Sequence, residues 1–175
     1  MRFYNSGPDA DGVHHFPQDQ YDTAQVCAAG HVINAQAEYE PQHNRPFCGK
    51  CGQSTIMRCP QCTERIEGFF HLKSGFGEPY EGPAAYCWHC GAPYPWTATA
   101  LAQAIAYAQL YVSDDADRAA LVETLPALTA ETPKTPVAIS TYQRVIAKVA
   151  PAAREGFKTI LYGVAVEFVK HTLWP

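Results

Sequence analysis

Eight residues come in four pairs whose spacing suits metal coordination: Cys27-x3-His31, Cys48-x2-Cys51, Cys59-x2-Cys62 and Cys87-x2-Cys90. A two-residue gap lets both sulfurs of a tight turn point at one ion while backbone N–H groups donate to the thiolates. Gly52 and Gly91 follow the second cysteine of their pairs, where such a turn demands a positive φ, and Pro60 stiffens the third turn. Seven cysteines and one histidine supply the eight ligands that two tetrahedral zinc ions require, and no thiol is left over. With all eight positions filled, neither ion keeps an open site for activating water. The expectation is two structural Zn2+ ions and no disulfide.

Two pairings satisfy this count. Sequential pairing groups Cys27, His31, Cys48 and Cys51 apart from Cys59, Cys62, Cys87 and Cys90. A RING-like cross-brace joins the first pair with the third and the second with the fourth, and normally sets the middle pairs nearly adjacent. Seven residues separate Cys51 from Cys59, which favours two successive ribbons. His43 is the alternative to His31. His89, flanked by Cys87-Trp88 and Cys90, points outward and is not expected to ligate.

Other chemistry is thinly represented. No phosphate-cradling glycine loop, H-E-x-x-H or Ser/His/Asp order is present. His14 and His15 lie near Asp9 and Asp11, in a stretch that reads as a polar arm. The net charge is -4, and between Cys27 and Trp96 five basic residues face six acids, so no positive field attracts phosphate. Met1 onward is polar, with four Asp before Thr23 and no apolar segment of signal-peptide type. Residues 157–169 are the most apolar stretch, but they contain Lys158 and Glu167 and are too short to span a bilayer. These features point to a cytoplasmic protein, a reducing compartment in which thiols serve as ligands.

Short runs suited to antiparallel hairpins lie between the pairs: Gly30-His31-Val32-Ile33-Asn34, Ser54-Thr55-Ile56-Met57-Arg58, residues 65–72 and Ala84-Ala85-Tyr86. Residues 74–83, rich in glycine and proline, read as a mobile loop. Pro93-Tyr94-Pro95-Trp96 reads as an extended packing strip ending at Thr97, a candidate helix N-cap.

Gln25-Val26-Cys27, the Gly30 to Asn34 run, Phe47-Cys48-Gly49-Lys50-Cys51-Gly52, Cys59-Pro60-Gln61-Cys62 and the stretch from Tyr86-Cys87-Trp88-His89-Cys90 to Trp96-Thr97 resemble an uncharacterised bacterial family of double-zinc-ribbon proteins with a helical C-terminal region. The resemblance covers residues 24–97, and the helical tail is similar only in plan. It implies His31 as the partner of Cys27. Ala29 departs from the Asn usual before Gly30, at a position that supplies no ligand. The family brings no established activity.

From Thr99 onward apolar residues recur at helical spacing: Leu101, Ile105, Ala108 and Val112, then Leu121, Val122, Leu125 and Leu128. Ser113 before Asp114, Asp115 and Asp117 suits an N-cap with first-turn acids. Pro126 and residues 131–136 interrupt the pattern. A third helix is expected with Thr135 as N-cap, Pro136 at its first position and Ile139, Tyr142, Ile146 and Val149 buried. Pro151 then opens or kinks a last helix to about Leu173. It carries two apolar stripes: Ala153, Phe157, Ile160, Leu161, Val164 and Phe168, and, nearly opposite, Tyr162, Val166, Val169 and Leu173.

The fold class is therefore small α+β: a polar arm over residues 1–23, two tandem zinc ribbons over 24–97, and a helical module over 98–175. Its second stripe, within 151–174, is expected to support a homo-oligomer. The functional expectation is a non-catalytic adaptor for protein partners. A nucleic-acid- or ribosome-associated ribbon and a RING-like ligase accessory are the alternatives.

Overall fold

The computed structural model describes residues 18–73, 77–78 and 80–175, so His14 and His15 lie outside the described residues. The chain divides between Ala92 and Pro93 into two compact units.

Among the described residues, the first unit holds two three-stranded sheets. Strand β1 (Gln20–Thr23) pairs antiparallel with β5 (Glu67–His71), which also pairs with β6 (Gly77–Glu78). Strand β2 (Gln25–Cys27) lies between β3 (Val32–Asn34) and β4 (Thr55–Ile56). Residues 20–23 are thus not part of a polar arm. Asp22 is wholly buried, and its carboxylate accepts from the backbone N–H of Thr23, Glu38 and Tyr39 at 2.6, 3.0 and 3.2 Å. His71 Nε2 lies 3.1 Å from the other side of the same interaction, at Asp22 Oδ2, and joins β1 to β5. These partners offset the cost of burying a charged group. Gly77–Glu78 form a strand inside the segment read as a loop, while the run Ala84-Ala85-Tyr86 is reduced to an isolated β-bridge at Tyr86.

Gly68 explains how closely the chain packs. A Cβ there would meet the Ala35 carbonyl oxygen at 2.2 Å and the Ala24 nitrogen at 2.8 Å. Only glycine lets β5 lie against these backbones, and the adjacent Phe69 N–H donates to Ala35 O at 2.8 Å.

The second unit is helical: α1 (Pro95–Tyr111), α2 (Asp115–Thr124), a 3-10 turn at Leu125–Leu128, α3 (Thr135–Ile146), α4 (Pro151–Leu161) and α5 (Glu167–Leu173). Helix α1 starts before Thr97, because Pro95 fits the first turn, where its missing N–H is no loss. Tyr94 becomes the N-cap, and its ring stacks on Trp96 at 4.6 Å. Asp114, one residue beyond Ser113, caps α2 by accepting from Asp117 N–H at 2.8 Å. Thr135 is already helical, with Lys134 as N-cap. Leu121, Leu125, Leu128, Val145, Phe157, Leu161 and Val169 are fully buried in one core, each contributing about 1.5–3 kcal/mol of apolar burial.

The last helix is not continuous. Leu161 O receives both Val164 N–H (3.0 Å) and Ala165 N–H (2.9 Å), and Val166 N–H leaves the helical ladder for Leu128 O at 3.2 Å. Gly163 makes the break inexpensive. The phase of α5 shifts in consequence: Val169, assigned to the outer stripe, is fully buried, while Phe168, assigned to the inner one, is 52% exposed. Val166 and Leu173 pack on the core. Tyr162 sits beside Trp174 at 5.9 Å and under Lys170 Nζ at 5.5 Å. The second apolar stripe expected on one straight helix does not exist as a continuous surface.

Candidate metal centres

The three Cys-x2-Cys pairs sit in the same hydrogen-bonded turn, and the Cys27–His31 pair sits in a related turn whose two hydrogen bonds are each one residue shorter. The first cysteine donates its N–H across the turn, Cys27 to His31 O (3.0 Å), Cys48 to Gln53 O (2.8 Å), Cys59 to Glu64 O (2.7 Å) and Cys87 to Ala92 O (2.9 Å). Its carbonyl accepts from Gly30, Gly52, Thr63 and Gly91 respectively, at 2.8–2.9 Å. All four of these donating residues have positive φ: 86°, 74°, 62° and 71°. Three are glycines, for which this conformation is unstrained. Thr63 is a β-branched residue held in the left-handed region, a local strain that the turn imposes.

The turns bring the side chains into two groups, Cys27, His31, Cys48 and Cys51, and Cys59, Cys62, Cys87 and Cys90, with ligand atoms within 4.8 Å of one another in each. The pairing is sequential, and cross-bracing is excluded by this geometry. With Zn–S bonds of about 2.3 Å and Zn–N bonds of about 2.0–2.1 Å, a tetrahedron needs S···S edges of about 3.8 Å and S···N edges of about 3.5 Å. The observed edges match it. Cys27 Sγ lies 3.7 Å from Cys51 Sγ, and His31 Nδ1 lies 3.5 and 3.6 Å from the sulfurs of Cys27 and Cys48. In the second group Cys59–Cys90 is 3.8 Å and Cys62–Cys87 is 3.7 Å. These separations far exceed a disulfide bond of about 2.05 Å, and all seven cysteines are free thiols.

Backbone donors prepare the sulfurs for an ion. His31 N–H reaches Cys27 Sγ and Lys50 N–H reaches Cys48 Sγ, both at 3.4 Å. Burial pushes the Cys48 thiol up, but the N–H groups of Lys50 and Cys51 and the side chains of Cys51 and His31 outweigh it and bring the group to about 6. Cys87 behaves alike, with N–H donors from Cys90 and His89 overcoming burial and lowering it to about 6. At Cys62 the Glu64 N–H lowers the thiol, yet burial and the neighbouring thiols raise it to about 12. Each group thus pairs a lowered thiol, Cys48 or Cys87, with a raised one, Cys51 or Cys62, and a divalent cation would favour the ionised form of all of them.

His43, on a 3-10 turn at Pro41–His43, belongs to neither group and faces Glu40 at 3.8 Å. His89 also stands outside, with its ring edge against Trp88 at 5.5 Å. The buried Asp22–His71 interaction was not legible in the chain, because nothing in a polar N-terminal stretch signals that one Asp will be sealed beneath strands.

A model of the family described as uncharacterized protein conserved in bacteria, DUF2321, matches residues 20–173, which spans both units. No curated protein and no solved structure matches the chain. Among the described residues, no helix is long and apolar enough to cross a membrane.

Proposed function

The chain belongs to that bacterial family, and from this premise we propose that it is a non-catalytic, cytoplasmic adaptor holding two structural zinc ions and presenting a protein-interaction surface on its ribbons. The closure of both ligand sets carries this reading. Four side chains converge in each group with their ligand atoms within 4.8 Å of one another, a set that would leave a bound zinc no position for substrate or water. Beside these rigid centres stand two large exposed aromatics, Phe47, preceding Cys48, at 63% and Trp88, within the Cys87–Cys90 turn, at 56%. An aromatic anchored next to a metal-braced turn loses little conformational entropy on docking, the economy expected of an interface anchor.

Affinity capture from a bacterial host of this family, comparing wild type with Phe47→Ala and Trp88→Ala, tests the reading. Both variants should keep two zinc ions per chain and lose the specifically recovered protein. Unchanged recovery would remove the ribbon face from consideration. The ligase alternative requires cross-bracing, and the grouping is sequential. The nucleic-acid alternative has the charge balance against it.

Self-association through residues 151–174 remains part of the proposal on a narrower footing. Tyr162 and Phe168 are the exposed large apolar residues there, at 47% and 52%. Light scattering should report a dimer that Phe168→Glu converts to a folded monomer, and a monomeric wild type ends the idea.

A further inference from the structure

Successive residues of a strand face opposite sides of its sheet, so the side of β1 and β5 that buries Asp22 and His71 leaves Tyr21 and Phe70 on the other. These two are register partners, with ring centroids 4.6 Å apart, and Tyr21 is 42% exposed. An open cleft of about 600 Å3 lies here, lined by Tyr21, Phe70 and Tyr80, by Glu67 and Glu81, and otherwise by glycine and alanine. No basic side chain lines it among the described residues. The Tyr80 hydroxyl donates to the Glu67 carbonyl oxygen at 3.3 Å, which ties the hydroxyl to the strand and leaves the ring to meet a ligand.

We propose that this cleft receives a lysine or arginine side chain from a basic segment of a partner protein. The proposal deepens the adaptor reading and rests on it. Aromatic faces are negative at their centres and attract a cation within about 6 Å, while the aliphatic stem of a long basic side chain packs along the rings. Two carboxylates at the same cleft add charge complementarity and disfavour any anion. A neutral apolar occupant would bury Glu67 further without a counter-charge. Burial already raises the Glu67 carboxyl above its ordinary range, against the pull of Arg65. The volume falls inside the range of about 300–1,000 Å3 usual for ligand sites, room for one side chain and its flanking backbone. The net charge of -4 favours encounter with basic partners as well.

The test uses the full-length, zinc-loaded chain and a short Gly/Ser peptide carrying one lysine, followed by amide and aromatic NMR shifts at low salt. Saturable shifts at Gly68, Phe70 and Tyr80 are expected, with no such shifts from the same peptide bearing neutral norleucine. Glu67→Gln combined with Glu81→Gln should weaken binding about tenfold. Tyr21→Ala, a change at an exposed position, serves as an independent variant should the double one lose its zinc, and it should weaken binding about threefold or more. Equal binding of the norleucine peptide, shifts confined to other surfaces, or tetramethylammonium binding as tightly as the peptide would each overturn the proposal, the last by making a small quaternary ammonium ion the occupant. The peptide titration is independent of the capture experiment. No saturable shift, together with capture that still depends on Phe47 and Trp88, overturns the cleft and spares the adaptor reading.

Discussion

His31 offers Nδ1 to the sulfurs of Cys27 and Cys48, whereas His43 faces Glu40 away from both groups. His31→Ala should therefore lower the zinc content or make one ion far easier to chelate, and His43→Ala should leave both unchanged. Elemental analysis and a chromogenic chelator read this directly, and the reverse pattern would transfer the ligand role to His43. Thr63 makes a second prediction at this scale. It occupies with φ 62° the position that Gly52 and Gly91 fill in the sister turns. Thr63→Gly should relieve about 1 kcal/mol of left-handed strain and raise the melting temperature, with zinc content intact. A fall in stability would mean that the Thr63 hydroxyl, bonded to Cys62 O at 2.6 Å, contributes more than the strain costs.

Elements are joined by a few buried contacts that single substitutions can break. Gly68 on β5 has no room for a methyl group, so Gly68→Ala should destabilise the first unit by about 2 kcal/mol or more in denaturant unfolding. In the second unit Asp117 of α2 accepts from Lys148 Nζ at 2.5 Å, just beyond α3, and from Arg144 of α3. Hydrogen bonds from Lys148 and Arg144 hold its carboxyl below the ordinary carboxylate range. A depressed folded-state pKa contributes stability above the unfolded value of about 3.9, and that contribution fades as pH falls through the folded value. Wild-type helical melting temperatures should consequently drop below about pH 4, and Asp117→Asn should flatten that drop while lowering stability at neutral pH. An unchanged acid limb in the variant would show that the ion pairs are spectators.

At the scale of the whole molecule, the two units are built differently. The second has a continuous apolar core that includes Phe157 and Leu161, whereas the first has small sheets and two clusters, one of three thiols and an imidazole and one of four thiols. Metal removal should separate them. A strong chelator, or Cys87→Ser, should abolish the near-ultraviolet signal of the ribbons, since structural zinc contributes on the order of 10 kcal/mol to folding. The helical circular dichroism of residues 93–175 should survive and melt with its own transition. Simultaneous loss of both signals would mean that the units do not fold independently.

Much of the candidate site was legible because metal ligation is a local code. Pair spacing, the glycines after Cys51 and Cys90 and the absence of a spare thiol are properties of short segments, so the gathering of these eight side chains into two successive clusters follows from the chain itself. The helices after Pro93 are legible too, since a 3.6-residue period is written along one element, although Asp114 and Tyr94 take the cap positions that local sequence assigns to Ser113 and Thr97. Tertiary structure alone decided the rest. Val166 could not be known to donate to Leu128 O, far away in the chain, and that one bond breaks the last helix, buries Val169 and exposes Phe168. Asp22 could not be known to lie beneath three N–H groups and His71, nor Tyr21 to meet Phe70 and Tyr80 around a cleft. These outcomes depend on which distant backbone groups compete successfully for a hydrogen bond, a competition that local spacing does not encode.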